Sequence, residues 1–366
     1  MDSSVVGNPD IAALILSALH DHIDGEEAFD NARWRRFLAH AEALRDHGSA
    51  AVTAVMHLFS AGGMRDRVVA AELLGRMSFD ADPAMRDQCW SQLEGMLSAE
   101  RAGRDDAAVI AAVAAAFQHL EDVRALPSLL DLAAHPSGDV RLAVACSIPS
   151  ACGWSAREEA IAILVRLTGD QDADVRDWSC FGLGQLDADG PEVREALAAR
   201  LDDEHADTRC EALVALARTG DMRAYHKLAE RLSADGQWKL EIEAAAELAD
   251  TRLHPVLQRL AIQWKDDDDF ELFRAPLERA ITRCDPQRRP AAKASEARLL
   301  ADLRVHVASS GRTAHLEGEF PRTRLIVLDT DGRTEMINDR VREYTDPIDF
   351  NFEQQRDSYL RALAGR

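Results

Sequence analysis

An all-α solenoid of helical hairpins with a small α+β C-terminal domain is the fold this sequence predicts, and three observations predict it. A short phrase recurs as Gly138-Asp139-Val140-Arg141, Ala173-Asp174-Val175-Arg176 and Ala206-Asp207-Thr208-Arg209, its arginines 35 and 33 residues apart. A period in the thirties is the signature of stacked helical pairs. An apolar stripe follows each arginine: Val144, Ala145 and Ile148, then Ser179, Cys180 and Leu183, then Ala212, Leu213 and Leu216. These positions lie three, four and seven residues from their arginine and so share one helix face. Aromatic residues make up only 5% of the chain while alanine and leucine dominate, a composition that suits close-packed helices rather than β-rich layers.

The elements follow in order. Residues 9–60 read as helices, including the apolar stretch from Ile11 to Leu19 and a helix from Asn31 to His47 that places Trp34, Phe37, Leu38, Ala41 and Leu44 on one face. Segment 1–62 is therefore expected to cap the first repeat. The array is assigned to residues 63–284, with a fainter copy of the stripe after Arg67 in Ala70, Ala71 and Leu74. The aspartate before each leading arginine is expected to cap the helix and meet the positive end of its dipole. A second phrase opens the second helix of a unit, in Asp122-Val123-Arg124-Ala125, Asp221-Met222-Arg223-Ala224 and Asp250-Thr251-Arg252-Leu253. Stripes again follow, as in Leu126, Leu129, Leu130 and Ala133, or Val256, Leu257, Leu260 and Ala261.

Helix-turn-helix units with Asp-Val-Arg at the first helix and Asp-x-Arg-Ala between the helices resemble HEAT repeats, in the bacterial type related to the bilin-lyase HEAT-like repeats. The resemblance implies a right-handed solenoid whose second helices line a concave surface used for proteins or peptides. Its motif is structural and brings no catalytic residue. After the array, Asp285-Pro286-Gln287-Arg288-Arg289-Pro290 reads as a linker into a C-terminal domain at 285–366. There a helix is expected from Ser295 to Val307, a strand from Thr323 to Leu328, a turn at Asp331-Gly332, a strand from Arg333 to Ile337 and a helix from Phe352 to Leu363. Asp-Gly between apolar runs is a hairpin signal.

Net charge is −21, and residues 1–284, with 50 acidic and 29 basic side chains, carry all of it. The last 82 residues balance at 14 of each. Such an array repels phosphate backbones and favours basic partners. The six cysteines form no Cys-x-x-Cys pair and read as free thiols of a reducing compartment. No basic residue precedes the first apolar stretch, and the longest apolar run, Ala107 to Phe117, is too short to span a bilayer. A soluble, cytoplasmic, bacterial protein is expected, with no membrane partner.

Candidate chemistry is sparse. Leu325 to Gly332 is an apolar strand ending in Asp329 and Asp331, similar to the first motif of haloacid-dehalogenase phosphotransferases, but Arg333 stands where that motif has threonine and the hairpin reading is preferred. Asp170-Gln171-Asp172-Ala173-Asp174 starts like a calcium loop, yet Val175 and Phe181 occupy the glycine and glutamate positions. Asp266 to Asp269 reads as a solvated loop. His20 and His22 lie about 200° apart on a helix and cannot share a ligand face. No histidine is followed by glutamate, against the diiron hydroxylase branch of the HEAT family. No cofactor, metal or catalytic residue is assigned.

Trp178 falls two residues after Arg176, off the stripe, where the matching residues are Ala143 and Glu211. It either anchors a partner or fills a groove between repeats, and Trp154 carries the same ambiguity. The expected function is a non-catalytic interaction scaffold. Its acidic concave solenoid face, with Glu158, Glu159, Glu192, Glu195, Glu230 and Trp178, binds a basic protein or peptide and not nucleic acid. An immunity or antitoxin protein that neutralises a nucleic-acid-processing enzyme is a specific version. The alternatives are an enzyme on the same scaffold, either bilin-lyase-like or DNA-glycosylase-like, and recognition through the C-terminal strand Arg324 to Leu328.

Overall fold

The computed structural model describes residues 8–22, 31–153, 157–265 and 271–287, and, nearer the C-terminus, 297, 300, 301, 304, 305, 307, 308, 311–317, 324–328, 330–332 and 334–338. Trp154, Asp266 to Asp269, Asp329, Arg333 and the expected helix from Phe352 to Leu363 lie outside the described residues. The chain forms two compact units, Met1–Leu186 and Asp187–Arg366.

The first unit holds α1 (Pro9–Asp21), α2 (Asn31–Asp46), α3 (Ser49–Ala61), α4 (Met64–Ser78), α5 (Pro83–Ala99), α6 (Ala107–Ala116), α7 (Leu126–Leu132), α8 (Gly138–Ala151), α9 (Glu158–Leu167) and α10 (Ala173–Gln185). Helices α4, α6, α8 and α10 pack side by side in one row, while α5, α7 and α9 each pair with a row member. Helix α2 packs on α4 and continues the row toward the N-terminus. Row helices are buried over much of their circumference because a neighbour covers each side: Val69, Ala70, Ala71, Leu73, Leu74 and Met77 of α4 are all fully buried.

The second unit holds α11 (Pro191–Ala198), α12 (Ala206–Thr219), α13 (Met222–Arg231), α14 (Lys239–Leu248), α15 (His254–Gln263) and α16 (Glu271–Cys284). Here α12, α14 and α16 form the row, and α11, α13 and α15 pack against its members. The outer helices are amphipathic, α13 burying only Ala224 and Leu228. A three-stranded antiparallel sheet comes next, with β1 (Thr313–Glu317), β2 (Arg324–Leu328) and β3 (Thr334–Asn338) in the order β1-β2-β3. The expected hairpin is present: Ile326 pairs with Ile337 and Val327 with Met336, and Gly332 takes φ +77° in the turn. Strand β1 was not anticipated, because Thr313-Ala314-His315-Leu316-Glu317 is short and carries only two apolar side chains.

All nine stripe residues behind the three leading arginines are buried, none more than 3% exposed. The arginines themselves explain why the phrase recurs. Arg141 Nη1 donates to the carbonyls of His135 and Pro136 at 2.9 and 3.0 Å, Arg176 Nη1 to those of Asp170 and Gln171 at 3.0 and 3.3 Å, and Arg209 Nη1 to those of Asp203 and Glu204 at 2.6 and 3.0 Å. Each arginine thus ties the helix start to the turn that delivers it. Buried carbonyls need such partners.

The aspartates of this phrase do not cap. Asp139, Asp174 and Asp207 sit inside the first turn, where they meet the dipole, and the N-cap residues are Ser137, Asp172 and His205. Caps are found instead in the second phrase: the side chains of Asp122, Asp221 and Asp250 each accept from the backbone N–H of the arginine two residues on at 2.9 Å.

One half-buried base gives the fold a pH limit. Desolvation, assisted by the Arg76 charge, pushes His119 from the usual 6.5 down to about 4. Between those values the unfolded chain binds the proton and the folded chain does not, so stability rises with pH. The contribution is complete above pH 6.5 and is lost as pH falls toward about 4. His119→Gln should flatten the pH dependence of the urea midpoint in that window, and an unchanged slope would refute the assignment.

Candidate functional site

The expected site residues fall into two groups, one in each unit. In the first, Glu158 and Glu159 occupy the first turn of α9, both exposed and favoured there by the positive end of the helix dipole. Neither has an ion-pair partner among the described residues. Trp178 lies in the second turn of α10, 41% exposed, with Phe181 meeting it edge-on at 5.3 Å and 75°. A short turn joins α9 to α10 and makes them antiparallel neighbours, so the two glutamates sit at the opposite end of this pair from the start of α10. The structure does not bring Trp178 together with them.

In the second unit Glu192 stands in the first turn of α11, exposed and without an ion-pair partner among the described residues. Glu195 is different, because its Oε1 accepts from Arg223 Nη1 at 2.8 Å. Arg223 also clasps Asp221 through Nε at 3.0 Å and Nη2 at 2.7 Å. That clasp holds Asp221 below the usual carboxylate range and raises the Arg223 guanidinium above its own. Asp189, Gly190, Pro191 and Arg194 complete a shallow groove of about 350 Å³ with Glu195 and Arg223. Glu230 Oε2 lies 3.6 Å from Lys227 Nζ, which also reaches Asp202 at 2.6 Å.

The outer helices are therefore mixed in charge. Helix α13 presents Arg223, Lys227 and Arg231 against Glu230 alone. Much of the acidity lies instead in the turns that lead into row helices, at Asp105 and Asp106, Asp170 and Asp172, and Asp202, Asp203 and Glu204, and in the first helical turns that follow, at Asp139, Asp174 and Asp207. Sequence reasoning missed these carboxylates as a group, although their recurrence just before each stripe was available as a signal. Asp170 is engaged inward. Burial opposes its ionisation, but two bonds from Arg141, at 2.7 and 2.8 Å, prevail and hold it below the usual range.

Chemically the arrangement offers anionic acceptors and one exposed indole. Among the described residues no three His, Cys, Asp or Glu side chains converge as a metal-ligand set, and no helix is long and apolar enough to cross a membrane. The six cysteines are reduced thiols, and burial pushes those of Cys89, Cys146 and Cys210 up to about 12.

Two rows of short helices joined by capped turns, repeated along the chain, define an α-solenoid protein. Residues 158–249 of this solenoid match the family pattern for HEAT repeats. Protein YibA of Escherichia coli K12 is 31% identical over 108 residues, which are 30% of this chain and 39% of that relative, so the matched stretch spans well under half of it. The X-ray structure of Escherichia coli YibA superposes with a TM-score of 0.52 at 21% identity, covering 75% of this chain and 97% of that one. A crystal structure of a HEAT-like repeats protein from Thermococcus onnurineus is also similar, with a TM-score of 0.37 at 12% identity, covering 76% of this chain and 98% of that one. The likeness to YibA reaches the fold.

Proposed function

We propose that the protein is a non-catalytic, cytoplasmic scaffold whose solenoid, acidic as a whole, binds a basic protein or peptide on its concave face. The observation that carries this reading is the confinement of the whole −21 charge to residues 1–284, with Glu158, Glu159 and Glu192 exposed and unpaired among the described residues. Glu195 and Glu230 are tied to cations, but exposed ion pairs exchange partners at little cost, so both can turn to a partner's arginine. Electrostatic complementarity of this kind sets association rate and specificity and weakens with salt. A basic nucleic-acid-processing enzyme, neutralised by the complex, is the narrowest form of the proposal.

The test uses the tagged full chain and a variant with all five glutamates changed to lysine. Wild type should retain a basic partner from native lysate at low salt and release it at high salt, and the variant should retain at least about tenfold less. Retention that survives both the reversal and high salt would sink the electrostatic reading.

A further inference from the structure

Trp178 is an exposed aromatic at a row position whose occupants vary. The matching positions hold Val69 on α4 and Ala143 on α8, 0% and 8% exposed, and the half-buried Glu211 on α12. Phe181, itself half-buried, packs edge-on against the indole and fixes its orientation while leaving much of the ring to solvent. Asp174 lies four residues earlier, hence one turn away on the same face of α10. Its carboxylate is exposed and has no ion-pair partner among the described residues.

The neighbouring helix adds to the same edge. Helices α8 and α10 are packed together, and their starts touch: a Cβ placed on Gly138 would lie 2.7 Å from Asp172 Oδ2. Asp139 occupies in α8 the position that Asp174 occupies in α10, and it too is exposed without an ion-pair partner among the described residues. Two unneutralised carboxylates and an oriented indole thus border one end of the α8–α10 pair.

We infer that this edge of the first unit docks a basic segment of a partner protein, with one arginine or lysine side chain stacked on the Trp178 indole and flanking cations held by Asp174 and Asp139. The indole face attracts cations through its quadrupole, and a planar guanidinium stacks on it best. The inference rests on the partner being basic, but it places the anchor on the row helices rather than on the outer helices that bear the five glutamates.

The test labels the full chain with 5-fluorotryptophan, which gives six reporters, and titrates it with acetylated tetra-arginine peptide. Trp178→Phe assigns the Trp178 resonance, and thermal melts confirm that each variant folds. The Trp178 resonance should move saturably, less so at high salt. Trp178→Ala and Asp174→Asn should each weaken binding about two- to fivefold. Reversal of the five glutamates should leave the Trp178 response in place. A peptide that binds without moving Trp178 overturns the inference, and if that binding disappears on reversal of the glutamates, the outer-helix reading stands alone. Absence of any binding at low salt rejects both.

Discussion

Arg141→Ala is expected to destabilise the first unit by about 3–5 kcal/mol, the range for removing one partner of a buried, fully bonded ion pair. Arg141 is 7% exposed and makes four bonds: Nε and Nη2 to the two oxygens of Asp170, and Nη1 to the carbonyls of His135 and Pro136. Truncation leaves the part-buried Asp170 carboxylate with only the Asp172 N–H at 2.9 Å and strips two carbonyls of their donor, and a buried group that loses its partner bears a desolvation penalty. Lysine should not rescue, because a single ammonium cannot reproduce the bidentate clasp and reach both carbonyls. Arg124 provides the control. It clasps Asp122 and reaches Asp87 in the same chemical way, but it is exposed, and ion pairs of fully exposed side chains contribute little because water screens them. Urea unfolding followed by circular dichroism should separate the two variants clearly. If Arg141→Ala and Arg124→Ala shift the midpoint equally, the leading arginine is a marker of the repeat and not its staple.

The same arginines show what was legible in the sequence. Their spacing and the stripes behind them were sufficient to place the row helices, because burial on one helix face leaves a countable 3.6-residue period. Glu158, Glu159, Glu192, Glu195 and Glu230 were placed on second helices and do lie on α9, α11 and α13. Whether each was free was not legible. Arg223 lies 28 residues from Glu195 and meets it only because α13 packs in the layer next to α11, a contact fixed by interhelix geometry rather than by local spacing. The misplaced caps have a related origin. Aspartate in the first turn and aspartate at the N-cap stand within two residues of each other, and both satisfy the preference for negative charge at a helix start. The exposure of Trp178, which the sequence left open between an anchor and a groove filler, required the positions of its neighbours.

Gly75→Leu is the second large effect, expected to destabilise by about 3 kcal/mol or more. Helices α4 and α6 approach so closely at Gly75 that an added Cβ would stand 2.8 Å from both Cα and Cβ of Ala116 and 3.1 Å from its carbonyl oxygen. The obstacle is main chain, which cannot swing aside as a long side chain would. Relief requires α4 to move off α6, and that would loosen the packing of Leu74, Met77, Val113 and Phe117, all fully buried. Gly75→Ala meets the same backbone, so its steric penalty of about 1–3 kcal/mol should outweigh the ~1 kcal/mol that alanine gains over glycine in a helix. Gly95 tests the argument with the identical change. It lies within α5, exposed, and a Cβ added there would meet nothing within 4 Å, so Gly95→Ala should stabilise by about 0.5–1 kcal/mol. Opposite signs for the two glycine-to-alanine substitutions in thermal or urea unfolding are the expected result. Stabilisation by both would mean that the α4–α6 spacing is not set at Gly75, and that the row tolerates a side chain at this close approach.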